Sequence, residues 1–319
     1  MAAVTVNAGS DGRAPMFSGH RGLRIAQLGV ACLLFSGCGD DKGTNPSPGR
    51  PEHVWRVPQD APTIWAGIDS ASVGDTVVVA SGTYNVRTWM KSGICLRGET
   101  GDPADVILDG QHGGYVFVCE GVDSTTVIKG ITITGGGLGK AEDGGGLLCQ
   151  NSSFLTLRNC VFSGNMSRNA GGGLRCFTSS PTVENCLFVD NEPGAALFWK
   201  SSGNLRNCTF TRNEGFGVYC WLDAFPSITN CCIVGNSGEA IDCHPGAVPS
   251  IVCCDIYGND GGDWAGCIAE HFGVSGNISA DPLFCDPESG DFHLQTSSPC
   301  APSEECGLIG ALGVRCEGR

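Results

Sequence analysis

The sequence predicts an all-β solenoid, a parallel β-helix with three short strands in every coil, and three observations lead there. A heptapeptide, NCVFSGN at residues 159–165, returns as NCLFVDN (185–191), NCTFTRN (207–213) and NCCIVGN (230–236), and in worn form as CCDIYGN (253–259). Its last asparagine falls at 165, 191, 213, 236 and 259, intervals of 26, 22, 23 and 23 residues. A second motif keeps step: GGGLLC (144–149), GGGLRC (171–176), GAALFW (194–199), GFGVYC (215–220) and GEAIDC (238–243). Side-chain parity then divides each coil, because Leu155 and Leu157, Cys160 and Phe162, and Leu174 and Cys176 alternate with their neighbours while the alternation breaks at Asn159 and across 163–173. A period in the twenties belongs to a solenoid. The spacing of leucine-rich repeats is missing, and a propeller blade needs about 40 residues.

Composition agrees. Only 16% of the 319 residues are charged, while Gly 49 and Cys 20 are far above ordinary usage, which favours strands and turns over helices. The formal charge is −14, and the first 37 residues carry three arginines and one aspartate, so the remainder holds −16. That excludes duplex binding and attraction to an anionic membrane, both of which need a cationic footprint. No nucleic-acid partner is expected.

Taken in order, the chain opens with a targeting segment, residues 1–37. Arg21 and Arg24 precede an apolar stretch at 25–35 that is too short to span a bilayer. It runs into LLFSGC, which resembles a bacterial lipoprotein signal: Ser36 and Gly37 precede Cys38, the residue that the resemblance marks for lipidation, although Phe35 stands where leucine is usual. The expected location is therefore outside the cytoplasm, held to the cell envelope or cell surface through a lipid anchor. Residues 38–53 are rich in Gly, Pro and polar residues without periodicity and read as a flexible tether. The β-helix domain follows over 54–316, with an N-terminal cap at 54–84 and a closing segment at about 277–316. In the cap, Ile64, Ile68 and Ala71 fall at helical spacing and residues 76–80 read as a strand.

Stacking explains the heptapeptide. Equivalent residues one coil apart pair at about 4.8 Å, so each position becomes a column. Phe162, Phe188, Phe210, Ile233 and Ile256 are expected to form one inward column, and Cys160, Cys186, Cys208, Cys231 and Cys254 another. Asparagine tolerates a left-handed corner, and its amide can bond to the copies above and below.

PTIWAGIDSASVGDTVVVASGTY, residues 62–84, resembles the opening segment of secreted right-handed parallel β-helix proteins of the pectate-lyase-like superfamily, and ADPLFCDPESGDFHLQTSSPC, residues 280–300, resembles their closing segment. The resemblance covers roughly 54–316 and implies a right-handed coil, a short capping helix and chemistry directed at polysaccharide. It is specific for architecture and poor for activity.

Eighteen cysteines remain outside the signal and anchor. Their spacing follows the coil rather than paired zinc motifs, so they read as small buried fillers, and export permits disulfides among Cys285, Cys300, Cys306 and Cys316 in the tail.

For function, the outward positions of the third strand are the most informative. Leu148, Arg175, Phe198, Tyr219 and Asp242 are expected in one outward row, with Gln150, Phe177, Lys200, Trp221 and His244 just beyond. Aromatic planes with polar neighbours suit a pyranose, which has an apolar face and a polar rim. Arg175, Phe177, Phe198, Lys200, Tyr219 and Trp221 are the expected ligand-binding residues, and the competing expectation is that the tail or a loop packs over them. Asp242 and His244 are the candidate acid–base pair. Asp260 and Asp263 in GNDGGDW, and Asp286, Glu288 and Asp291 in DPESGDF, are calcium candidates, with turn chemistry as the default. The paired aspartates and Gly-His-Gly of galacturonase-like hydrolases are not found. The sequence therefore favours a surface protein that recognises polysaccharide or serves as a structural or adhesion module; the alternative is a polysaccharide lyase or glycoside hydrolase.

Overall fold

In the computed structural model, residues 51–137 and 145–318 are described. The targeting segment, Cys38 and the tether up to residue 50 lie outside the described residues. Thr63 has an extended backbone and accepts a hydrogen bond from the Ala66 N–H at 3.1 Å, so the helix Ile64–Ser70 starts there and buries Ile64, Gly67 and Ile68 over the first coil. Gly67 is needed for this close seat, since a Cβ would stand 3.1 Å from both Val57 and Val77. The strand Thr76–Val79 follows, as expected.

From here the chain winds. Each complete coil contributes one strand to each of three parallel sheets, which hold nine, eight and seven strands because the end coils are incomplete; in one coil these are Thr156–Arg158, Val161–Ser163 and Leu174–Phe177. We call the sheets first, second and third in that order. Phe162 pairs with Phe188, Phe188 with Phe210, Phe210 with Ile233 and Ile233 with Ile256. The phenyl rings stack at 4.6 and 4.8 Å with interplanar angles of 3° and 7°. The five expected cysteines form a second buried column and keep free thiols. Each thiol lies 3.3–3.4 Å from the carbonyl two residues earlier, which satisfies its weak donor locally.

The two asparagines of the heptapeptide have separate tasks. The first makes the corner: Asn159, Asn185, Asn207 and Asn230 have φ of 50°, 52°, 47° and 54°, and Cys253 takes the same conformation at 53° in the worn copy. The last is buried and forms a ladder at the next bend. Nδ2 of Asn165, Asn191, Asn213 and Asn236 donates to Oδ1 of the following asparagine at 2.8–3.0 Å, and each also donates to a backbone carbonyl. Asp263 terminates the ladder: its carboxylate accepts from the Asn259 amide, the Asn259 N–H and the Gly258 N–H. Asp263 is engaged by three donors, and Asp260 beside it is an exposed turn residue.

The closing segment forms a small sheet of Phe284–Asp286, Asp291–Gln295 and Val314–Cys316 and lies on the outer face of the second sheet. Phe292 packs with Val161, Leu187 and Val189, and Leu294 and Ile309 pack with Cys232 and Val234. Corner asparagines hold it too: Asn207 Nδ2 donates to the Leu308 carbonyl at 2.6 Å, and Asn230 Nδ2 to those of Cys306 and Leu308. Disulfides join Cys243 to Cys267, Cys253 to Cys306 and Cys285 to Cys316. Cys300 departs from expectation, being a buried free thiol that points at Asp255. Asp291, another calcium candidate, is instead bonded to His293 at 2.6 Å with Arg315 at 3.7 Å.

Candidate functional site

The outer faces of the three sheets differ in chemistry. On the first they are polar, with an Arg158–Glu184 ion pair at 2.8 Å. On the second they are aliphatic and covered by the closing segment. On the third, Phe177, Trp199, Trp221 and His244 form one half-buried aromatic ladder across four coils. Ring centroids are 5.1 Å apart for Phe177–Trp199, 6.0 Å for Trp199–Trp221 and 4.1 Å for Trp221–His244. Tyr219 stands edge-on to Trp221 at 5.3 Å and stacks with Phe216 at 5.0 Å. Among the described residues, the closing segment packs on the second sheet rather than on this ladder.

The expected row needs three corrections. Phe198 pairs with Cys176 and Cys220 and is fully buried in the core, and the outward aromatic of its strand is Trp199. Lys200 falls at the left-handed corner after the strand, with φ 49°, where its side chain is exposed. Arg175 lies in the outward row but is buried, its guanidinium 4.7 Å over the Phe177 ring. The error was one of register. Aligning Gly194 with Gly171 shifts the strand by one residue, and a one-residue slip reverses every side chain. The signal lay in the ladder: Trp199, Trp221 and His244 each come eight residues after Asn191, Asn213 and Asn236.

The candidate acid–base pair is brought to one end of the ladder. Asp242 lies on the strand Ile241–Cys243 and His244 just after it, both half-buried, but among the described residues the His244 Nδ1 has no hydrogen-bond partner and the ring lies against Trp221. Asp242 sits opposite Tyr219. Burial, and then the Asp242 charge, raise the Tyr219 phenol, and the same two causes raise Glu239 and push Cys220 up to about 12. Two carboxyl groups, those of Glu239 and Asp242, thus lie near this end of the ladder. At the other end, Arg87, Trp89, Tyr115, Val118, Leu148 and Gln150 line a shallow cleft of about 220 Å³. Trp89, Val118, Leu148 and Arg175 succeed one another in register, so cleft and ladder share one face.

A coil of three parallel sheets defines a parallel β-helix protein. Residues 115–278 match the family described as "Right handed beta helix region", and the chain belongs to that family. Among solved structures it is similar to pectate lyase Pel9A, at a TM-score of 0.53 and 13% identity over 79% of this chain and 91% of that one. It also resembles the deglycosylated pectin methylesterase of Aspergillus niger, at a TM-score of 0.44 and 17% identity over 67% and 77%. At such identities the likeness is one of fold. No curated protein matches the sequence.

Proposed function

We propose that this protein binds polysaccharide along the outer face of its third sheet, as an exported surface protein. The carrying observation is the ladder Phe177–Trp199–Trp221–His244, which the closing segment leaves open while it seals the neighbouring sheet. Successive rings are set by the strand spacing of about 4.8 Å, so they offer a continuous apolar track with polar groups at its margins, Lys200 on one side and Tyr219 and Asp242 on the other. A sugar chain lies on such a track ring by ring. The pectate lyase that shares the fold acts on a polysaccharide, which supports this class of ligand.

Export rests on the targeting segment and on disulfides such as Cys243–Cys267, Cys253–Cys306 and Cys285–Cys316, which an oxidising compartment allows to persist. Lipidation at Cys38 anchors the tether. Cys38→Ser is expected to move the protein from the membrane fraction to the soluble one.

The test is affinity electrophoresis of the purified chain in gels containing acidic and neutral polysaccharides, with Trp199→Ala/Trp221→Ala alongside. Retardation by at least one glycan that is lost in the folded double variant is the expected result. Unchanged retardation of that variant removes the ladder from the account, and release of unsaturated products or new reducing ends transfers the face to a lyase or hydrolase.

A further inference from the structure

The outward column of the second sheet runs Val161, Leu187, Thr209, Cys232, Asp255 in register. It changes from packing residues to metal-ligand types at the place where Cys300 of the closing segment arrives. Cys232, Asp255 and Cys300 are all fully buried, and one ligand atom from each lies within 4.8 Å of the other two. The Cys300 Sγ is 3.1 Å from Asp255 Oδ2, and the remaining carboxylate oxygen accepts the Ala280 N–H at 3.0 Å. No lysine, arginine or histidine pairs with this carboxyl group among the described residues, so a buried acid stands beside two thiols without a cation.

We propose that Cys232, Asp255 and Cys300 form a divalent-metal site, with a donor set suited to zinc, that fastens the closing segment to the second sheet. Two sulfurs and one oxygen are the ligand types that a borderline-soft ion takes in tetrahedral sites, and metal–sulfur and metal–oxygen bonds of about 2.3 and 2.1 Å bring such atoms to within roughly 4 Å of each other. The thiols of the inner column contrast with these: they rest on backbone carbonyls inside the coil. Cys300 is already aimed, because the Ser298 hydroxyl accepts its N–H at 3.0 Å and itself donates to the Pro282 carbonyl at 2.6 Å. Binding displaces the two thiol protons to solvent, and two thiolates and a carboxylate around a 2+ ion leave a single net negative charge. A Cys232–Cys300 disulfide would instead take the thiol donor away from Asp255 and leave its buried carboxylate with one N–H.

The full chain, stripped of metal under reducing conditions mild enough to spare its disulfides, is titrated with Co²⁺. One equivalent is expected to give thiolate-to-cobalt charge-transfer absorption, displaced by Zn²⁺. Cys300→Ser should lose that absorption and Asp255→Asn should weaken Co²⁺ binding, with both variants checked for folding by circular dichroism. The wild-type titration decides the matter if a variant does not fold. Absence of a charge-transfer band in the folded wild type, or a tryptic peptide pair showing Cys232 joined to Cys300 by a disulfide in the protein as isolated, overturns the proposal.

Discussion

The outer faces of the second and third sheets arise from strands of the same coil, separated only by the bend that holds the asparagine ladder. On the second, Val161, Leu187, Val189, Cys232 and Val234 offer small aliphatic or sulfur side chains, and the closing segment buries them permanently under Phe292, Leu294 and Ile309. On the third, Phe177, Trp199, Trp221 and His244 offer flat rings that keep one side in water. Short side chains interdigitate with a partner and lose little rotamer freedom in doing so, which suits a fixed internal contact. Rings tilted or stacked on one another at 4.1–6.0 Å form a continuous surface that needs no interdigitation, which suits a ligand that comes and goes. The two faces therefore differ in purpose more than in hydrophobicity.

Four outcomes break or sharpen this contrast. The largest concerns the covered face. Phe292 is buried between that sheet and Phe284, with Arg212 over its ring at 5.2 Å, so Phe292→Ala should cost about 3–5 kcal/mol in urea denaturation. A loss under 1 kcal/mol would mean that the segment is not seated there. Next comes the bend between the faces. Asn213→Ala removes the acceptor of the Asn191 amide and N–H and the donor to Asn236 and Phe188, so about 3 kcal/mol is expected from stranding buried polar groups. Asn213→Asp, which keeps the acceptor but not the donor, should fall between the two.

On the open face the effects should separate. Trp221→Ala should change stability by only about 1 kcal/mol, since it forfeits partly exposed ring contacts, yet weaken glycan retention at least about tenfold, or ~1.4 kcal/mol. Equal losses of stability and retention would make the ladder a packing element like its neighbour. The smallest effect is a pH dependence confined to the covered face. Burial pushes the Asp291 carboxyl up, but the hydrogen bonds from His293 and the charges of His293 and Arg315 outweigh it and hold the group below the usual carboxylate range. A depressed folded value adds stability that is complete above the unfolded carboxylate value near 3.9 and disappears as pH falls through the folded one. Thermal melts of wild type should therefore drop more steeply than those of Asp291→Asn below about pH 4. Parallel curves would remove Asp291 from the docking contact.

Particular residues show how far the sequence could be read. Phe162, Phe188 and Phe210 were legible as one column because spacing alone places them, and so were Ile64, Ile68 and the strand at Thr76. The ladder was legible in part: Phe177, Tyr219 and Trp221 were placed outward correctly, whereas Phe198 was taken for Trp199 because the glycine motif slides by one residue when the preceding loop changes length. The part that Asp263 plays at the end of the asparagine ladder was not legible, because an acidic turn and a hydrogen-bonding terminator have the same composition. Cys300 looked like a disulfide partner because its distance in sequence from Asp255 hides their contact.

What the amino-acid sequence determined on its own was the coil: its period, its inward columns and its corners. Each of these depends on residues one turn apart that are chemically alike, and such likeness can be counted along the chain. The tertiary structure alone decided which face the closing segment covers, and with it which aromatics meet solvent and which thiols meet a buried carboxylate. Those contacts join segments of unlike sequence and irregular separation, where no period exists and only the fit of one surface to another selects the partner.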